Sequence, residues 1–156
     1  MAGQGKTTKL YSSLLKNNGW SVLYTCIPNS AHVGVVPIPT SHGVSKQRYP
    51  DIAALKQDRL LFVEVELALS ETVVTDIILR FKEMRQALNN PKVYTDWANK
   101  IADLTKLRVP PNPTVETLLV IVNQRPADRI FLDVLNVNGV DVDHLPRLVL
   151  SAEASI

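Results

Sequence analysis

From Thr7 to Asn18 the apolar positions Leu10, Tyr11, Leu14 and Leu15 recur at helical spacing, and Gly19 follows where a helix commonly ends. This pattern predicts a helix with one buried face. Trp20 to Ile27 is rich in aromatic and β-branched residues and predicts a strand, closed by Pro28 and Asn29. Pro28 to Tyr49 shows no period, holds prolines, glycines, His32 and His42, and reads as a long loop of the kind that carries function. Asp51 to Lys56 and Arg59 to Leu67 then predict two strands joined at Gln57 and Asp58, a spacing that suits a tight hairpin although the favoured glycine is missing. Ser70 is placed to cap a helix whose apolar positions Val73, Val74, Ile77, Ile78, Phe81, Met84 and Leu88 follow three-four spacing, with Asn89, Asn90 and Pro91 ending it. Val93, Trp97, Ile101 and Leu104 predict another helix before the break at Pro110, Pro111 and Pro113. Val115 to Val122 is nearly unbroken apolar sequence, as in a strand covered on both faces. A short helix is expected over Pro126 to Leu135 and a last strand over Leu148 to Leu150. The order predicts an α/β fold, a central mixed β-sheet flanked by helices, formed as one domain over residues 1–156.

Composition adds exclusions. The chain of 156 residues is 46% hydrophobic and 21% charged, ordinary globular values. No apolar stretch approaches the roughly 20 residues needed to span a bilayer, so no membrane insertion is expected. The absence of a secretory-signal pattern, together with a lone Cys26, leads us to expect a reducing cytoplasm. Cys26 lies in an apolar run and reads as a buried thiol rather than a nucleophile. The net charge of +2 conceals a division at Pro50: the residues before it carry Lys6, Lys9, Lys16, Lys46 and Arg48 and no Asp or Glu, whereas the remainder is net acidic. Segregation of this kind suits a basic surface facing a polyanion such as nucleic acid, or simply a solvated helix face.

Gly3-Gln4-Gly5-Lys6-Thr7-Thr8 has the look of the end of a phosphate-binding P-loop. That motif requires a further glycine five positions before Gly5 and a buried strand leading into it, and neither stands in the sequence. The expected reading is an N-terminus feeding a basic helix.

The chemistry concentrates in the hairpin. Side chains alternate along a strand, so Glu64 and Glu66 share one face while Val63, Val65 and Leu67 point the other way. Closing the hairpin brings Asp51 near Glu64. Three crowded carboxylates repel and raise one another's pKa, and a divalent cation, most economically Mg2+, relieves them. A bound cation would acidify a water and neutralise charge on a phosphate, the logic of metal-assisted phosphodiester hydrolysis. The competing expectation is that Glu64 and Glu66 are the solvated face of an ordinary strand. His32 and His42 lack the spacing of a metal site and are expected to be solvent-exposed loop residues, and His144, near a proline turn, carries no further signal.

Pro50-Asp51, a gap of twelve residues, then Glu64-Val65-Glu66 inside an apolar strand resembles the signature of the PD-(D/E)xK, or restriction endonuclease-like, nuclease superfamily. Its core, a helix, a three-stranded meander, a helix and a further strand, would cover about residues 5–123. The resemblance implies that Asp51 and Glu64 bind Mg2+ (or Mn2+), that the Val65 carbonyl adds a ligand, and that Glu66 occupies the place usually held by lysine. Lys82, with Arg80 behind it, is then the expected substitute cation, its alternative being a helix face paired to Glu83 and Asp76. Gln86 suits a supporting polar contact. The first helix carries no acidic residue where many relatives present a glutamate, and Thr8 lies near that position. Lys6, Lys9, Lys46, Arg48 and Arg80 are the expected contacts to DNA phosphates. The resemblance thus implies a metal-dependent DNA endonuclease, working as a homodimer if both strands are cut. The alternative is a catalytically degenerate relative that binds nucleic acid or a protein partner.

Overall fold

The computed structural model describes residues 4–27, 34–40 and 47–144. Helix α1 (Gln4–Asn17) buries Tyr11, Leu14 and Leu15, the stripe expected from spacing, while Lys6, Lys9 and Lys16 stay exposed. Gly19 stops it: at φ +87° the chain turns back so that the Trp20 N–H reaches the Leu15 carbonyl at 3.0 Å. The Gly5 to Thr8 segment is therefore helix, not a phosphate-binding loop. Thr8 is buried and its hydroxyl donates to the Gln4 carbonyl at 2.7 Å.

Strand β1 (Ser21–Thr25) follows, and two short strands, β2 (Ile38–Pro39) and β3 (Gln47–Arg48), pair with each other inside the stretch expected to be loop. The hairpin is formed by β4 (Ile52–Lys56) and β5 (Arg59–Ala68), which match the expected strands within a residue at each end. Gln57 supplies the positive φ, +57°, that the missing glycine would have supplied.

Ser70 caps helix α2 (Glu71–Leu88), its hydroxyl accepting from the Val73 N–H at 3.1 Å. Helix α3 (Pro91–Thr105) starts directly afterwards, because Asn90 caps it and Pro91 is pre-shaped for a first helical turn. Strand β6 (Thr114–Asn123) leads through a 3-10 turn (Pro126–Asp128) into helix α4 (Arg129–Val137) and strand β7 (Asp141–His144). The expected strand at Leu148 to Leu150 lies outside the described residues. The sequence predicts no strand at Asp141–His144, because Val142 is its one apolar residue, as a polar edge strand allows.

The five-stranded sheet has the order β1-β4-β5-β6-β7. Pairs β1/β4 and β4/β5 are antiparallel, and β5/β6 and β6/β7 are parallel, so the sheet is mixed. Helix α1 covers one face, its Tyr11, Leu14 and Leu15 packing on Ile52, Leu61, Val63 and Val65. Helices α2 and α3 cover the other, where Ile77, Phe81, Trp97 and Ile101 pack on Ala53, Leu60 and Phe62. The fold is α/β with helices on both faces. Strand β5 is central and doubly covered, so any polar side chain on it is carried into the interior. Among the described residues no helix is long and apolar enough to cross a membrane.

Candidate functional site

Residues of β4 and β5 pair with Ile52 opposite Val63 and Ala53 opposite Phe62, a register whose next step sets Asp51 opposite Glu64. Cross-strand partners share a face. Asp51, Glu64 and Glu66 therefore lie on the side covered by α2, alongside Ala53 and Phe62, while Val63 and Val65 face α1. The hairpin closes as the spacing requires, and the solvated-face alternative fails for Glu64, which is only 3% exposed.

Asp51 Oδ2 accepts the Val65 N–H at 2.7 Å, and the Asp51 and Glu64 carboxyls lie close enough to shift each other's titration. Burial pushes the Glu64 carboxyl well above the usual range, and the Asp51 charge adds to the effect. Burial raises Asp51 as well, opposed by the neighbouring Glu64 and by the hydrogen bond from the Val65 N–H. Glu66 is half-buried, and burial raises it too, with Arg80 pulling the other way.

Arg80 reaches this face from α2. Its guanidinium lies 3.7 Å from Glu64 Oε1, and its Nε sits 2.9 Å from Asp76 Oδ2, close enough for an ion pair although that N–H is not aimed along a hydrogen bond. Lys82, two residues on, is turned some 200° around the helix from Arg80 by the helical period and is exposed. Arg80, rather than Lys82, is the cation that the fold brings to the carboxylates. Gln86 is exposed about one turn beyond Lys82 along α2.

Two neighbours were not singled out as site residues from the sequence. Gln4, at the start of α1, donates from Nε2 to the Val65 carbonyl at 2.7 Å and to Glu66 Oε2 at 3.4 Å. It, and not the buried Thr8, is the α1 residue at the site. Tyr24 on β1 stands opposite Ala53, and its buried hydroxyl has no hydrogen-bond partner among the described residues. Burial, and then the nearby Glu64 charge, raise its pKa well above the ordinary tyrosine range. Neither residue carries a sequence signal, since Gln4 sat within an apparent P-loop remnant and Tyr24 read as one more strand aromatic. Cys26 is buried as expected, its backbone N–H donating to the Asp51 carbonyl at 2.8 Å.

The basic residues divide. Lys6 and Lys9 are exposed on α1, the helix that begins at the site. Arg48 pairs through Nε with the buried Glu83 Oε2 at 2.9 Å and ties β3 to α2. Lys46, His32 and His42 lie outside the described residues. His144 accepts from the Gln124 N–H at 3.3 Å.

Among the described residues no three side chains drawn from His, Cys, Asp and Glu are grouped to hold a metal ion. The donors present are two carboxyls and the Val65 carbonyl, hard oxygens of the type magnesium takes. Two surface grooves, of about 540 Å3 beside Arg85, Tyr94 and Asn112 and about 470 Å3 beside Asp141 and His144, are lined by none of these residues. No protein-family model, curated protein or solved structure matches the chain.

Proposed function

We infer that the chain is a metal-dependent endonuclease that hydrolyses phosphodiester bonds in DNA, on a restriction endonuclease-like core. The observation that carries the reading is the juxtaposition of Asp51 with the buried Glu64 at the end of the hairpin, beside the Val65 carbonyl and with Asp51 Oδ2 held by the Val65 N–H. The succession of α1, an antiparallel meander of β1, β4 and β5, α2 and the parallel strand β6 supports the same core.

Asp51 and Glu64, with the Val65 carbonyl, would hold Mg2+ or Mn2+. When bound, that ion supplies an acidified water and charge neutralisation at the scissile phosphate. Arg80, already beside Glu64, takes the role of the missing lysine and meets negative charge on the phosphate. Glu66, half-buried with a raised pKa, is poised to accept a proton from the attacking water. Lys6 and Lys9 steer the DNA backbone toward the site. Two copies would be needed to cut both strands.

A second reading, a degenerate nuclease-like domain that only binds nucleic acid or a protein partner, has its own support. Gln4 occupies the Val65 carbonyl, and Glu64 is too buried to meet substrate without rearrangement. Incubating supercoiled, linear and branched DNA with the protein in MgCl2 or MnCl2 separates the two. The nuclease reading expects nicking that Glu64→Ala abolishes. Intact DNA throughout, combined with DNA affinity indifferent to Mg2+ and unchanged in Asp51→Ala, would sink it in favour of the binding domain.

A further inference from the structure

The Val65 carbonyl and the Glu66 carboxylate are both met by one side chain from another element. Gln4 Nε2 donates to Val65 O at 2.7 Å and lies 3.4 Å from Glu66 Oε2. A primary amide nitrogen has two hydrogens and no acceptor lone pair, so this end of Gln4 satisfies oxygens and repels a cation. The carbonyl it occupies is the residue between Glu64 and Glu66, whose N–H is held by Asp51. A cation drawing on that carbonyl competes with the Gln4 amide for the oxygen.

The backbone that carries Gln4 has little freedom to yield. The Gln4 carbonyl accepts the Thr8 hydroxyl at 2.7 Å, and Gly5 sits so close to the chain after β1 that a Cβ there would stand 3.1 Å from Ile27 Cγ2. Relief must therefore come from the Gln4 side chain, which swings on rotatable bonds while α1 stays docked.

We propose that Gln4 is the gate of the cation site: its carboxamide closes the Val65 carbonyl and the Glu66 carboxylate, and a divalent cation binds at Asp51 and Glu64 only as that side chain withdraws. The proposal rests on the nuclease reading, since it requires the Asp51 and Glu64 pair to take a cation. It goes further in assigning to Gln4 the control of cation affinity.

The test is titration calorimetry of the full chain with MnCl2 for wild type, Gln4→Ala, Gln4→Glu and Glu64→Gln. Removing the competing amide in Gln4→Ala should tighten Mn2+ binding by about threefold to tenfold, the equivalent of one hydrogen bond that no longer has to break. Gln4→Glu, of the same length but with acceptors in place of donors, should tighten it further, and Glu64→Gln should weaken it. Binding by Gln4→Ala that equals or falls below wild type, with Glu64→Gln still impaired, overturns the gate and leaves the nuclease reading standing. Heat-silent titrations with no Mn2+ bound by wild type or by either Gln4 variant overturn both. Binding by the Gln4 variants alone supports a gate that is normally shut.

Discussion

Replacing Glu64 by glutamine should make the metal-free protein more stable at neutral pH, although it removes a buried residue's native side chain. Glu64 is 3% exposed, and its carboxyl is held well above its ordinary value of 4.5 by burial first and the Asp51 charge second. A carboxyl whose pKa is raised in the folded state contributes stability that is fully present below 4.5, where folded and unfolded chains are both protonated. Above it the unfolded chain releases a proton that the native pair keeps. Each pH unit then removes about 1.4 kcal/mol for one retained proton, until the pH passes the native value. Glutamine has no such proton to lose. Its urea-unfolding stability should fall far less from pH 5 to pH 7, with Asp51 and Glu66, also raised, leaving a shallower slope. The fluorescence of the buried Trp97 reports the transition. Parallel pH profiles for wild type and Glu64→Gln would refute the raised Glu64 pKa, and with it the case that a cation would relieve the pair.

Two further expectations separate the roles of the cationic residues. Arg80→Ala should lower the nicking rate by about 100-fold or more, since it removes the guanidinium beside Glu64, while Lys82→Ala leaves it within about twofold; equal losses measured on supercoiled plasmid would return the role to Lys82. Arg48→Met should lower unfolding free energy by about 1–3 kcal/mol in chemical denaturation, because it strands the buried Glu83 carboxylate that now accepts from Arg48 at 2.9 Å. Weakened DNA binding at unchanged stability would instead make Arg48 a phosphate contact.

Much of the fold can be read from local pattern. The apolar stripes of α1 and α2, the Ser70 cap and the two-residue spacing at Gln57 and Asp58 each depend on residues a few positions apart. Strand β7 and the β2/β3 pair were not legible, because segments of two to four residues acquire strand geometry from the neighbours they bond to.

The candidate site divides in the same way. Strand alternation put Glu64 and Glu66 on one face, and the hairpin spacing carried Asp51 to Glu64, so the pair was determined by the sequence itself. Everything that gives the pair its chemistry came from other elements. Burial of Glu64 follows from β5 being central with helices on both faces, and burial is the first cause of its raised pKa. The choice of Arg80 over Lys82 depends on which side of α2 meets the sheet. Gln4 stands 61 residues from Val65 in the chain, and Tyr24 joins the face through β1 pairing with β4. A side chain's charge and length are written locally. Its pKa and its partners are set by desolvation and by long-range docking, which only the packed chain supplies.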